Sequence, residues 1–215
     1  MSAEGEIDRI VREAFFVDQS SGVMVEVGAA RPDFLSISAS YRALGWTVLS
    51  IEPNPEFCAA HRSLGHQIFQ YACGDIDADD VPFSVVDSFG AGYMGGAVSF
   101  ESFSSLGIRD EFAELHKAAQ YPTQVTTISV KVRKLDTILA EFAPSVQKLD
   151  LLAIDVEGWE LEVMRGFSIA KYRPKVVILE NLFKDRRYHD YMGEQNYRLW
   201  NSVEPNEIYV ADDQP

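Results

Sequence analysis

Residues 22–52 decide the fold, and they read GVMVEVGAARPDFLSISASYRALGWTVLSIE. Residues 23–28 form a short apolar run without helical periodicity, which is typical of a buried strand. A helical stretch follows at 34–44, and Gly45 ends it before a second apolar strand at 47–51. A strand, a helix and a strand at this spacing predict a right-handed crossover between two parallel strands.

The alternation of strands and helices continues along the chain. Three more apolar runs are predicted strands, at residues 67–72, 149–154 and 174–179. Helical segments precede them, at residues 56–64, 135–142 and 159–164. Residues 197–200 and 207–210, joined by a turn near Pro205, predict a closing hairpin. We therefore expect a doubly wound, mostly parallel α/β sheet with a C-terminal antiparallel hairpin.

Two segments stand outside this alternation. Residues 1–20 contain a charged, amphipathic N-terminal helix. Residues 88–125 hold a glycine- and serine-rich run with many aromatic side chains, followed by a helical piece at 110–119. Such a segment is typical of a loop that lies over a surface, and we interpret it as a substrate-covering insertion. A floppy insertion is the alternative.

Short strands are predicted on both sides of this insertion, at residues 83–86 and at 128–132, the second at an edge of the sheet. No linker, repeat or low-complexity tract divides the chain. Residues 1–215 are therefore expected to form a single domain.

Charge and composition limit the partners. The chain has 33 acidic residues against 19 basic ones, for a formal charge of −14, which opposes binding to nucleic acid or anionic lipid. The N-terminus lacks the pattern of a signal or transit peptide, and no run approaches the about 18 apolar residues that span a bilayer. We expect a cytoplasmic protein that binds neither nucleic acid nor membranes, and homodimerisation is left open.

The two cysteines, Cys58 and Cys73, lack the spacing of a metal pair. Two cysteines are also too few for a disulfide framework. They are expected to be free, buried thiols.

Four of the predicted core strands end on polar residues. The four signatures are Glu26-Val27-Gly28, Glu52-Pro53-Asn54, Asp155-Val156-Glu157-Gly158 and Glu180-Asn181. Ligands of a doubly wound sheet bind beyond the carboxyl ends of its strands. Acids at four strand ends on one edge favour a ligand with hydroxyls and an amine over ordinary strand-ending turns.

The loop after the first strand argues against a ligand with phosphates. Gly28 permits either a close approach of the backbone to a ligand or a positive φ angle. Residues 29–33 lack the further glycines of the dinucleotide fingerprint, and Asp33 stands where a phosphate cradle would carry no acid. Glu52 is placed to accept both hydroxyls of a ribose. A nucleoside without phosphates fits these observations, and a nicotinamide dehydrogenase is disfavoured.

Several motifs resemble those of one enzyme family. The segments EVGAARPDF, IEPNP, ACGD and, most specifically, LDLLAIDVEGWELEVMRGF followed by KVVILE are similar to the FkbM family of S-adenosylmethionine-dependent methyltransferases. The resemblance runs from about Val23 to about Glu180 and implies a seven-stranded, Rossmann-like class I methyltransferase fold. Pro32 stands where relatives have a second glycine, so this loop is expected to take a different path.

The resemblance implies a cofactor site at the strand ends. The matching residues are Glu26, Gly28, Ala29, Glu52, Pro53, Asn54, Cys73, Gly74, Asp75 and Asp155. The first three are implied to hold the amino acid part of S-adenosylmethionine, and Glu52 its ribose. The residues of this set from Pro53 to Asp75 are implied to lie beside the adenine, and Asp155 to face the reacting methyl group.

Methyl transfer to a hydroxyl needs a group that removes a proton. Asp155, Glu157 and Glu180 are catalytic candidates by position, and His189 is the best-placed histidine, with an ordinary pKa near neutrality. The alternative role for Glu157 is that of a helix-capping carboxylate. The other three histidines are expected to be solvent-exposed: His61, His66 and His116.

A metal hypothesis rests on Asp155 together with Glu180 and Asn181. They resemble the Asp…Asp-Asn set with which catechol-type O-methyltransferases hold magnesium, an ion that prefers oxygen ligands. A magnesium ion there would lower the pKa of an acceptor hydroxyl. Glu180 in place of the first aspartate of the pair lengthens that arm.

The sequence thus predicts an S-adenosylmethionine-dependent methyltransferase that acts on a hydroxyl of a small molecule, such as a sugar or a natural-product intermediate. Within the enzyme class, an amine or a carboxylate acceptor stays open. The alternative from another class is a nucleoside-binding or scaffold protein of the same fold without catalysis.

Overall fold

The computed structural model describes residues 3–87, 92–93, 98–99, 104–107 and 124–213. Its strands, in chain order, are β1 (Val23–Val27), β2 (Thr47–Ile51), β3 (Ile68–Phe69), β4 (Ala72–Cys73), β5 (Ala78–Asp87), β6 (Gly92–Tyr93), β7 (Val98–Ser99), β8 (Gln124–Arg133), β9 (Leu151–Ile154), β10 (Val176–Glu180), β11 (Tyr197–Val203) and β12 (Asn206–Ala211). Its helices are α1 (Ile7–Phe15), α2 (Ser38–Ala43), α3 (Pro55–Ser63), α4 (Leu135–Phe142), α5 (Glu160–Arg165), α6 (Ile169–Tyr172) and α7 (Arg186–Glu194), with a 3-10 turn at Glu4–Glu6.

Seven of the described strands form the main sheet, in the order β11-β12-β10-β9-β1-β2-β3. The strands from β10 to β3 run parallel, whereas β12 is antiparallel to β10 and β11 is antiparallel to β12. This topology confirms the prediction of a mostly parallel α/β sheet that ends in an antiparallel hairpin.

The main sheet is apolar on both faces because helices cover both. All residues of β9 and β10 are buried, the pattern of parallel strands inside a doubly wound fold. On one face Val25, Leu49 and Leu152 pack with residues of α4 to α7, and on the other Met24 and Val48 pack with residues of α1 and α2. The continuous apolar runs in the sequence therefore reflect burial from two sides.

A second sheet, in the order β4-β8-β5, corrects two details of the sequence prediction. The run at 67–72 is not one strand, because β3 pairs with β2 in the main sheet while β4 pairs with β8. Residues 128–132 lie in β8, which pairs along its length with β5 and not with the main sheet. Only one face of β8 is apolar, with Val130 and Val132 buried and alternate residues exposed, as expected of a sheet covered on one side.

The helix predicted at 34–44 begins only at Ser38. Leu35 adopts a φ of +50°, in the left-handed region, and this interrupts the helical pattern. The backbone N–H and the hydroxyl of Ser38 both donate to the buried Glu26 carboxylate, which sets the start of α2.

The N-terminal prediction is matched by α1, which lies within residues 1–20. Of the predicted insertion at 88–125, only residues 92–93, 98–99, 104–107 and 124–125 are described, and the helical piece at 110–119 lies outside them. Cys58 and Cys73 are buried and free, as predicted. Across the described parts of the chain, every helix is too short or too polar to cross a lipid bilayer.

Candidate functional site

A cleft opens where β1, β2 and β9 end, and it encloses about 620 Å³, open solvent at its mouth included. Its residues at strand ends include Gly28, Glu52, Cys73 and Asp155. Its apolar walls include Phe57, Tyr71, Phe83, Leu106 and Trp159. The structure thus brings strand-end residues of four separate sequence motifs together around one space.

Glu52 is the buried carboxylate of this cleft. Its Oε2 accepts a hydrogen bond from the Ala30 N–H at 3.0 Å, and its Oε1 accepts one from the Asn54 N–H at 2.7 Å. Burial raises the pKa of Glu52 to about 7, although the two backbone hydrogen bonds act in the opposite direction. A polar ligand in the cleft therefore meets a carboxylate whose charge depends on pH near neutrality.

Gly28 is required by the protein backbone itself. Its φ is +81°, and a Cβ atom on it would lie 1.7 Å from the Asp155 carbonyl oxygen. Both of these features exclude larger residues, because an L side chain is strained at this φ and would overlap the end of β9. Gly28 thus lets β1 and β9 approach each other at the cleft.

Ala30, and not the predicted Ala29, lines the cleft among the described residues. The Ala29 N–H donates to the Ile51 carbonyl at 3.2 Å, and the Ala29 side chain is buried. Ala30 has a φ of +42°, which is uncommon for alanine. That the loop after β1 differs from that of relatives, as Pro32 suggests, stays a prediction.

After Ala29, three further predicted cofactor residues lie outside the described lining of the cleft, and two of them make other contacts. Glu26 accepts hydrogen bonds from Ser38 and from the Ser50 hydroxyl, so it ties β1 to α2 and β2. Asn54 caps α3, since its Oδ1 accepts the Glu56 N–H at 2.9 Å. Asp75 is exposed.

Gly74, a fourth such residue, has a packing role. A Cβ on Gly166, at the end of α5, would lie 2.1 Å from the Gly74 carbonyl oxygen. The ACGD and VMRG segments therefore meet backbone against backbone. Pro53 of the IEPNP segment and Cys73 of the ACGD segment line the wall of the cleft.

Three catalytic candidates converge beyond β9 and β10. One carboxylate oxygen from each of Asp155, Glu157 and Glu180 lies within 4.8 Å of the others. Glu157 and Glu180 are 5% and 8% exposed, and Asp155 is the most exposed of the three. Glu157 adopts a φ of +58°, a strained conformation of the kind that clusters at functional sites. This arrangement can take a proton from a nearby group, and its oxygen atoms can ligate a hard cation.

Asn181, the amide ligand of the metal hypothesis, makes side-chain hydrogen bonds within the protein. Its Oδ1 accepts the Asp185 N–H at 2.8 Å, and its Nδ2 donates to Glu207 at 3.0 Å. These contacts hold the segment that leads into α7. Because Oδ1 keeps a second lone pair, a metal-ligating role of Asn181 stays a prediction.

His189 lies on α7, away from the described lining of the cleft. Its Nε2 is 3.1 Å from Glu207 Oε1, and its side chain is 41% exposed. Glu207 also accepts the Tyr209 hydroxyl at 2.5 Å. The catalytic role of His189 stays a prediction, with Glu207 as the group that orients its ring.

The expectation of exposed histidines is wrong for His61, which is completely buried. Its Nε2 is 3.2 Å from the Ala30 carbonyl oxygen, and its Nδ1 is 3.1 Å from His66 Nδ1. The error arose because His61 occupies the same face of α3 as Cys58, three residues earlier, and that face turns to the core. His66 is partly buried, and His116 lies outside the described residues.

The sequence analysis missed Glu160. This residue is fully buried at the start of α5, and its Oε1 accepts the N–H groups of Val156 and Gly158 at 3.0 and 3.1 Å. Its Oε2 accepts the Tyr188 hydroxyl at 2.5 Å. Burial raises the pKa of Glu160, opposed by these hydrogen bonds. Glu160 thus fixes the loop that carries Asp155 and Glu157.

Trp159 is the second residue that was missed. Its indole lines the cleft, and its Nε1–H donates to the Gly107 carbonyl at 3.1 Å. Ser105 exchanges two backbone hydrogen bonds with Ser84 of β5, at 2.9 and 3.0 Å. Residues 104–107 are therefore anchored to the second sheet and to the IDVEGW motif, and they close one side of the cleft.

Comparison with known proteins agrees with this geometry. A search of the curated proteins gave no match. The methyltransferase FkbM domain, in contrast, matches residues 26–199, which include every strand end around the cleft. The match covers most of the chain and confirms the resemblance found in the motifs. The chain belongs to the FkbM methyltransferase family.

Proposed function

We propose that the protein transfers a methyl group from S-adenosylmethionine to a hydroxyl of a small molecule, such as a sugar or a natural-product intermediate. The observation that carries this proposal is the convergence of Gly28, Glu52, Cys73 and Asp155 on one cleft in a methyltransferase domain. These four residues come from the ends of separate strand motifs, where a doubly wound sheet binds its ligand.

The donor set fits a nucleoside cofactor. Glu52 offers a buried carboxylate to ribose hydroxyls, while Phe57, Tyr71 and Cys73 form an apolar wall beside it that suits a planar base. Asp155 also lines the cleft and can face a positively charged group. The absence of a dinucleotide fingerprint in residues 28–33 agrees with a ligand that carries no phosphate.

S-adenosylmethionine, when bound, would supply a methyl group whose carbon an acceptor oxygen attacks in line, so that the C–S bond breaks and S-adenosylhomocysteine leaves as a neutral thioether. The protein has to hold that oxygen in position and receive its proton. Asp155 and Glu157 line the cleft, so either carboxylate can take the proton, with Glu180 close enough to share it. Trp159 and Leu106 also line the cleft, and their apolar side chains help to exclude water from it.

Calorimetry tests the proposal directly. We expect the protein to bind S-adenosylmethionine and S-adenosylhomocysteine, and to bind NAD far more weakly. Absence of binding to both sulfur compounds would refute a cofactor role. Binding without turnover on any hydroxylated metabolite, tested with labelled cofactor, would favour the nucleoside-binding protein without catalysis.

The ribose contact gives a sharper prediction. Glu52→Gln should weaken adenosine binding by about tenfold to a hundredfold, because the lost charge weakens hydrogen bonds from both hydroxyls. The matched ligand is 2′,3′-dideoxyadenosine, which should bind the wild type weakly and be insensitive to Glu52→Gln. Equal losses for the two nucleosides would remove Glu52 from the ribose site.

Glu52→Gln should also change the pH dependence of adenosine binding. Hydroxyl donors favour the ionised carboxylate, so binding lowers the pKa of Glu52 from its value of about 7 in the free protein. Adenosine affinity of the wild type should therefore fall as the pH drops below about 7, and level off above it. Glu52→Gln should give a flat profile between pH 5.5 and 8.

The magnesium hypothesis names Asp155, Glu180 and Asn181 as ligands, and a carboxylate oxygen of Glu157 lies within 4.8 Å of those of Asp155 and Glu180. If the ion binds at the carboxylates, magnesium titration should release heat in the wild type and none in Glu180→Gln. Chelator should then lower turnover, and added magnesium should restore it. Full activity in chelator, with no heat of binding, would dismiss the metal.

A further inference from the structure

The backbone of Ala30 is held at the cleft through both peptide groups that flank its Cα atom. Its N–H donates to Glu52 Oε2 at 3.0 Å, and its carbonyl oxygen lies 3.2 Å from His61 Nε2. Ala30 also carries a positive φ of +42°, which alanine rarely adopts without support. One polar contact on each side of this strained Cα atom indicates that the protein holds the Ala30 backbone in a defined position.

The contact with a carbonyl fixes the protonation of His61. A carbonyl oxygen only accepts, so Nε2 must carry the hydrogen. If His61 is neutral, its Nδ1 is an acceptor, and the His66 Nδ1 at 3.1 Å must then donate. His61 is completely buried and lies near the Arg42 guanidinium, and both effects lower its pKa and favour the neutral ring.

These contacts form one chain of hydrogen bonds from the partly buried His66 to the cleft. His66 donates to His61, His61 donates to Ala30, and Ala30 donates to Glu52. Charged groups around the histidine pair are Arg42 from α2, which opposes protonation of both rings, and Glu26 from β1, which favours that of His66. His61 can therefore act on the cleft through Ala30, without touching the ligand itself.

We propose that His61 is a positioning residue of the nucleoside site: by holding the Ala30 carbonyl, it keeps the Ala30 N–H aimed at Glu52 and the loop open to the ligand. This inference rests on the proposed nucleoside-binding function. It predicts that His61 controls ligand affinity through one N–H group, and that the methyl-transfer step itself depends little on it.

A spectroscopic test needs no ligand. Long-range ¹H–¹⁵N spectra of the labelled protein should show His61 neutral at pH 7.5, with its proton on Nε2, and His66 with a proton on Nδ1. The His61→Gln variant identifies the His61 signals by their loss. A proton on Nδ1 of a neutral His61 would overturn the inference, because Nε2 could not then donate to Ala30.

A binding test uses two variants at the same buried position. His61→Leu fills a similar volume without a donor, and His61→Gln keeps an N–H group near the Ala30 carbonyl. Adenosine affinity should fall by about tenfold in His61→Leu and by no more than about threefold in His61→Gln, in line with one buried hydrogen bond. Turnover at saturating cofactor should change less than affinity in both.

The outcomes separate this inference from the proposed function. A wild type that binds neither adenosine nor S-adenosylmethionine refutes the proposed function, whatever the state of His61. If the wild type and His61→Leu bind these ligands with equal affinity, the positioning role is refuted. Equal losses in the leucine and glutamine variants refute it too, since they trace the effect to packing. If His61→Leu does not fold, His66→Leu replaces it, with an expected loss of about threefold through the released His61 ring.

Discussion

Gly28→Ala is expected to lower the free energy of unfolding by more than about 3 kcal/mol and to abolish cofactor binding. The added Cβ would lie 1.7 Å from the Asp155 carbonyl oxygen, so the ends of β1 and β9 would have to move apart. The φ of +81° adds a conformational cost of about 1–2 kcal/mol for any L residue. Chemical denaturation and calorimetry with S-adenosylhomocysteine measure the two effects.

Gly45→Ala is the matched control for this variant. Gly45 has a φ of +86°, but no atom lies within 4 Å of the Cβ position. It therefore carries the conformational cost without the overlap, and should lose only about 1 kcal/mol with cofactor affinity unchanged. Similar losses in the two variants would mean that contact between the strand ends contributes nothing.

Glu160→Ala is expected to lower the free energy of unfolding by about 2–4 kcal/mol, because it leaves two N–H groups and one hydroxyl without their acceptor. The N–H groups belong to Val156 and Gly158, and the hydroxyl to Tyr188. Since this loop carries Asp155 and Glu157, cofactor affinity should fall as well. Denaturation curves and cofactor titrations give both quantities.

Two further variants divide the role of Glu160. Glu160→Gln keeps an oxygen for the loop N–H groups and should lose about 1 kcal/mol. Tyr188→Phe removes only the donor from α7 and should leave the loop, and hence cofactor affinity, nearly unchanged. If Tyr188→Phe impaired binding as much as Glu160→Ala, the loop contacts would not be the cause.

The strands of the main sheet could be predicted because burial on both faces leaves a direct trace in the sequence. Residues 151–154 and 176–179 are continuous apolar runs, as expected of strands that helices cover on both sides. The second sheet left a weaker trace. The alternation in Gln124–Arg133 shows one buried face, but nothing local states which partner strand covers the edge.

The lining of the cleft was predictable where a residue stands at the end of a strand, as Glu52 and Asp155 do. The site was not predictable where a polar side chain turns inward from a helix. Glu160 stands in a first turn, where acids usually face solvent and the helix dipole, yet it folds back onto the loop before it. His61 likewise needs a loop 31 residues earlier as its partner, and helical spacing alone does not reveal that.

The walls of the cleft come from two independent parts of the chain. The side with Glu52 and Gly28 belongs to the main sheet, whereas Phe83 and Leu106 belong to the second sheet and to the segment anchored by Trp159. Substitutions in the second group can reshape one half of the cleft and leave the other half intact. Such a division would let the space for an acceptor diversify without disturbing the residues that we propose hold the methyl donor.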